Sequence, residues 1–123
     1  MQLLLIGIGG LCGTIARYLL DGWITDATRT TFPWGILVVN ASGSFAIGLL
    51  YVLTVERGVL PAELRAPFGI GFLGGYTTFS TFMLDSLCLA QDGAWPLAVA
   101  NLAGSVLLGL VAVLAGVALG KAI

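Results

Sequence analysis

Apolar residues run along this chain in four long blocks separated by short polar breaks. A helix that crosses the hydrocarbon core of a bilayer needs about 20 predominantly apolar residues. The blocks at about 3–20, 34–55, 68–90 and 96–120 each meet that length and predict four transmembrane helices in one domain, 1–123. The first break, Asp21 to Pro33, contains Asp26, Arg29 and several threonines; the second, Glu56 to Pro67, contains Arg57, Glu63, Arg65 and two prolines. The third, Gln91-Asp92-Gly93-Ala94, is short enough to make the last two spans an antiparallel hairpin. Pro33 and Pro96 stand at predicted helix starts, where a missing N–H leaves no bond unmade, with Trp34 and Trp95 beside them at headgroup depth. The N-terminal run MQLLLIGIGGLCG has no basic region before it and continues apolar to Leu20, so it reads as a retained span and not as a cleaved leader.

Composition sharpens this picture. The chain is 59% hydrophobic and 9% charged, against about 25% charged in soluble domains. Its net charge of −1 offers nothing to a nucleic acid. With no histidine, and with Cys12 and Cys88 far apart in sequence, no zinc or haem site is expected. Each cysteine is expected to be a small buried hydrophobe. No nucleophile–base pair stands out, which argues against an enzyme.

Charge barely decides orientation. Four spans place Arg57, Arg65 and Lys121 on one side, and Arg29 with Arg17 on the other, a bias of three against two. One orientation set by weak cues is one reading; insertion both ways, followed by antiparallel pairing, is the other.

A faint repeat adds chemistry. WGILVVNASGSFAIG (34–48) and WPLAVANLAGSVLLG (95–109) both reduce to W-x5-N-x2-G-S-x3-G. Asn40 and Ser44 in one copy, and Asn101 and Ser105 in the other, are four residues apart and share a helix face. A face that polar must meet protein or water instead of lipid. Glycines four apart, Gly9/Gly13, Gly71/Gly75 and Gly116/Gly120, predict close helix contacts.

The densest polar cluster lies inside the third block. GGYTTFSTF (74–82) sets two glycines, five hydroxyl side chains and two phenylalanines in nine residues. Gly74-Gly75 predicts a helix break in mid-membrane, and irregular backbone at that depth is tolerated where it lines a cavity or holds an ion. Phe79 and Phe82 fall on one face of the half-helix that follows, with Ser80 and Thr81 interleaved. A packing seam with hydroxyls bonded back to their own helix is the plainer reading. Against it stand the density of hydroxyls, the amides of Asn40 and Asn101, and the ionisable Asp85. Hydroxyls, amide N–H groups and the positive rims of phenyl rings suit an anion; carbonyls freed at the break suit a cation.

The G-G-x-T-T-F-S-T-F run, with Gly13-x3-Arg17 in the first span and an Asn ahead of Gly-Ser in the second, resembles the fluoride channel family known as Fluc or CrcB over essentially the whole chain. That resemblance implies an all-α, dual-topology homodimer in the cell's inner membrane that exports fluoride passively through two pores and protects against its toxicity. It further implies a structural sodium ion on the two-fold axis, held by backbone carbonyls of Gly74 and Thr77. Phe79 and Phe82 would line the fluoride path with their ring edges. Ser80 and Thr81 would form a hydroxyl track, and Asn40 would donate its amide. Asp85 falls where the family commonly carries Glu, and Ser105 and Asn101 match less specific positions. Arg17 would draw fluoride into a vestibule or extend to the interface. Two other classes remain. A four-span proton-coupled multidrug antiporter needs a carboxylate within its first span, where this chain has none before Asp21. A non-conducting packing subunit would tolerate alanine at the hydroxyls.

Overall fold

The computed structural model describes residues 1–123 and is helical throughout, with no strand. Helix α1 spans Gln2–Thr28, and α2 spans Trp34–Tyr51 before widening into a π-helical turn, Val52–Glu56. A single 3-10 turn, Ala62–Leu64, follows. Next comes α3, a π-helical run Arg65–Leu73 that tightens into one α-helical turn, Gly74–Tyr76. Helix α4 spans Phe79–Gln91 and α5 spans Trp95–Ala122.

Three helices, α1, α2 with its π-turn, and α5, are long and apolar enough to cross a membrane, and the protein is a membrane protein. At 1.5 Å per residue, α1 and α5 each reach about 40 Å, longer than a hydrocarbon core of about 30 Å. The block at 68–90 is divided between α3 and α4, with Thr77 and Thr78 extended between them. Asp21, expected at the end of the first span, lies inside α1, which runs on to Thr28. There Arg29, at φ 48°, turns into the left-handed region and returns its N–H to Thr25 at 3.0 Å.

The expected helix contacts are made by glycine. A Cβ on Gly13 would collide with the Phe72 carbonyl, and one on Gly75 would come within 2.5 Å of the Gly10 carbonyl. Small residues on both faces therefore bring α1 and α3 backbone to backbone, the source of association where lipid tails remove the hydrophobic drive. Gly48 and Gly116 do the same for α2 and α5, against Val113 and Phe45. Helix α2 is central: 33% of its apolar stretch is buried within the protein, against 6% for α1 and α5. Between α4 and α5, Gly93 at φ 78° closes the short turn, with Ala94 bonded back to Leu89 at 2.9 Å. Cys12 and Cys88 correct an expectation, since both are exposed. They lie on outward faces of helices whose solvent is lipid, where apolar character does not imply burial.

Candidate functional site

The helix does not break at Gly74-Gly75, as glycine content predicts. Both glycines are helical, and the interruption falls two residues later, at Thr77 (ψ 156°) and Thr78 (φ −149°, ψ 123°). Packing gives the reason. Gly75 is needed as a contact point against Gly10, which holds it in the helix. The two adjacent threonines are β-branched and accept extended backbone readily. Thr78 then serves as N-cap of α4, its Oγ1 accepting from the Thr81 N–H at 3.3 Å.

An interruption frees backbone groups, and each must find a partner in a membrane. Asn40 of α2 answers two of them. Its Nδ2 donates to the Thr78 carbonyl at 3.0 Å, and its Oδ1 accepts from the Thr78 N–H at 2.8 Å. One amide hydrogen of Asn40 is left over. On the other side of the interruption, Arg17 Nε and Thr14 Oγ1 of α1 donate to the Gly75 carbonyl at 3.2 and 3.5 Å. The Thr77 N–H and hydroxyl both return to Leu73, at 2.9 and 2.8 Å. The Thr77 carbonyl receives no donor from the chain.

Beside the interruption an open cleft of about 400 Å³ lies between α2, α3, α4 and α5. It gathers Asn40, Ser44, Gly74, Thr77, Phe79, Phe82 and Ser105 from the residues singled out in the sequence, and adds Thr78. Phe79 and Phe82 meet edge to face, with centroids 6.0 Å apart and planes at 68°. They differ in burial: Phe82 is 6% exposed and Phe79 73%. Gly74 is also open, and a Cβ there would find nothing closer than 3.8 Å, so its lack of a side chain serves no packing inside one chain.

The remaining candidates lie outside this cleft. Ser80 and Thr81 sit on the first turn of α4, clustered with Thr78: Thr78 Oγ1 donates to Thr81 Oγ1 at 3.2 Å and lies 3.4 Å from Ser80 Oγ. Arg17 Nε donates to the Gly75 carbonyl, and Arg17 is not among the residues that line the cleft. Asp85, one turn past Phe82, is half-buried and without an ion pair; the chain's salt bridge joins Lys121 and Glu56 at 3.3 Å. Asn101 is 1% exposed and donates to Ser86 Oγ at 2.9 Å, while Ser105 Oγ donates to Asn101 Oδ1 at 3.3 Å. Ser86 and Thr14 escaped sequence reasoning because a lone hydroxyl on an apolar helix gives no pattern. Thr78 carried a signal, a threonine three residues ahead of Thr81 at the start of an apolar run.

Together the cleft offers amide and hydroxyl donors, two aromatic rims and free carbonyls, with no cationic side chain among its lining residues. Such a lining can strip water from a small ion without holding it tightly. The family model described as CrcB-like protein, Camphor Resistance (CrcB), matches residues 4–117. A fluoride-specific ion channel FluC of Magnetococcus marinus is 42% identical over 123 residues, all of both chains. Another, of Paramagnetospirillum magneticum, is 47% identical over 114 residues, 91% of this chain and 89% of its own. The FluC 2 of Moorella thermoacetica is 46% identical over 110 residues, 89% of this chain and 88% of its own. With a family match across nearly its full length and relatives this similar from end to end, the chain belongs to the CrcB family.

Proposed function

We propose that the protein is a passive, selective fluoride channel of the cell's inner membrane, a multi-pass protein that exports fluoride and relieves its toxicity. The observation that carries this is the cleft at Thr77-Thr78, where Asn40, Phe79, Phe82 and Ser105 meet without a fixed positive charge. The names of the relatives supply the ion. Fluoride would pass the ring edges of Phe79 and Phe82, the hydroxyls of Ser80, Thr81 and Ser105, and the one free amide hydrogen of Asn40. Asp85 and Asn101 lie further along α4 and α5, and Arg17 behind the cleft wall.

One chain cannot enclose this route, because the cleft is open and Phe79 is exposed. In the proposed assembly α3 and α4 together make the fourth span, broken in mid-membrane, and two copies pair antiparallel as a dual-topology homodimer. A charge bias of only three against two permits insertion both ways, and each copy brings one open cleft, so the dimer would carry two pores. The residues present fit a structural sodium ion: the Thr77 carbonyl lacks a donor and Gly74 faces open space. Gly74 and Thr77 carbonyls of both copies would hold it, and it would supply a fixed positive charge. The membrane potential drives export, at about 2.3 kcal/mol per charge per 100 mV. Of the two carboxylates in α1, Asp21 packs on Gly35 away from the cleft and Asp26 is exposed near the helix's C-terminal end, which removes support from the antiporter reading.

The test is efflux from proteoliposomes holding the purified protein. Vesicles loaded with fluoride should empty quickly when a potassium ionophore relieves the opposing potential, and chloride-loaded vesicles should not. Retention of fluoride, or equal release of chloride, would refute the proposal.

A further inference from the structure

Thr77 and Thr78 leave the helical ladder, yet the segment Gly75 to Thr78 is held from two sides. Arg17 and Thr14 of α1 fix the Gly75 carbonyl, and Asn40 of α2 fixes both the N–H and the carbonyl of Thr78. These anchors flank Thr77, whose N–H and hydroxyl are both engaged by Leu73, leaving its carbonyl the acceptor without a donor. No water is at hand in hydrocarbon to replace either anchor. Asn40 engages both backbone groups of Thr78, so it holds the peptide groups on either side of that residue, and the one before it carries the Thr77 carbonyl.

We infer that Arg17 and Asn40 are positioning residues, which together orient the Thr77 peptide and present its carbonyl for a bound cation. The inference rests on the cation site proposed above. It gives Arg17 a task distinct from attracting fluoride through its charge, and gives Asn40 a task distinct from touching fluoride. An electrostatic lure would need only a positive charge near the mouth. A positioning residue needs a donor at the Gly75 carbonyl, and its loss alters backbone mobility and the demand for cation together.

The experiment compares wild type, Arg17→Met, Arg17→Lys and Asn40→Asp as full-length protein. Asn40→Asp keeps an acceptor for the Thr78 N–H but sets a carboxylate against the Thr78 carbonyl. Hydrogen–deuterium exchange over residues 75–82 is measured in lipid nanodiscs. Fluoride efflux is measured from vesicles prepared at graded sodium, with N-methylglucamine replacing it. Arg17→Met and Asn40→Asp are expected to speed exchange in this segment and to raise the sodium needed for half of each variant's own maximal efflux by about fivefold, the scale of one interhelical hydrogen bond, in Asn40→Asp beside the lower maximum that its carboxylate imposes. Arg17→Lys, which keeps a donor, should recover most of both shifts. Efflux lowered equally at every sodium concentration, with exchange unchanged, would overturn the inference and assign both residues to the fluoride itself. Unchanged exchange and unchanged efflux would overturn it too. If wild type released no fluoride, the channel reading would fall, while the exchange arm would still decide whether Arg17 and Asn40 hold the segment.

Discussion

The two asparagines of the internal repeat occupy the same place in W-x5-N-x2-G-S-x3-G and do different work. Asn40 is partly exposed at the cleft and bonds to backbone, closing the ring with Thr78. Asn101 is buried to 1% exposure and bonds to a side chain, Ser86 of α4. Their serines follow suit. Ser44 donates to its own helix, at the Asn40 carbonyl (2.8 Å), whereas Ser105 donates to the Asn101 side chain. Both asparagines hold α4, one at its N-cap and the other near its middle. The difference lies in what α4 presents: a helix start with free backbone groups at Thr78, and a complete ladder at Ser86 with only a hydroxyl to offer. An amide in a membrane bonds to whatever the facing helix leaves unsatisfied.

That contrast can be broken by substitution. The largest effect is expected from Asn40→Asp, which sets a carboxylate against the Thr78 carbonyl and beside the proposed path; fluoride efflux should fall by at least about 100-fold. Undiminished efflux would mean Asn40 matters no more to transport than Asn101. Phe82→Ile should cut efflux by about tenfold or more with the fold intact, as ring edges are lost from the cleft. Phe79→Ile should do so only where a partner chain covers that exposed ring, so normal efflux in Phe79→Ile alone would argue against such cover. Asn101→Ala should cost about 1 kcal/mol of stability, the scale of an interhelical hydrogen bond in lipid, read as a lower thermal midpoint with efflux nearly preserved. Loss of efflux without loss of stability would place Asn101 in the conduction route instead. Ser105→Ala should have the smallest effect on stability, about 0.5 kcal/mol or less, because the Asn101–Ser86 bond survives it.

Much of this was legible in the chain. Block lengths gave α1, α2 and α5 because a membrane demands long apolar helices and nothing else in hydrocarbon satisfies the backbone. The glycine pairs marked close helix contacts, since spacing of four puts small residues on one face, and the fold sets those contacts between α1 and α3 and between α2 and α5. The cluster at 74–82 marked the region of the cleft. What misled was the use of glycine as a sign of breakage: Gly75 is there for contact with Gly10, and the threonines supply the extended backbone.

The sequence by itself therefore determined that this is a helical membrane protein with one polar region, and which family it belongs to. Only the tertiary structure decided where the ladder opens and which side chains close it. Arg17 and Gly75, Asn40 and Thr78, and Ser86 and Asn101 lie 58, 38 and 15 residues apart. No local rule pairs them. Their partnership follows from helices brought close by glycine, and from the high cost of leaving a freed backbone group without a partner where water is absent.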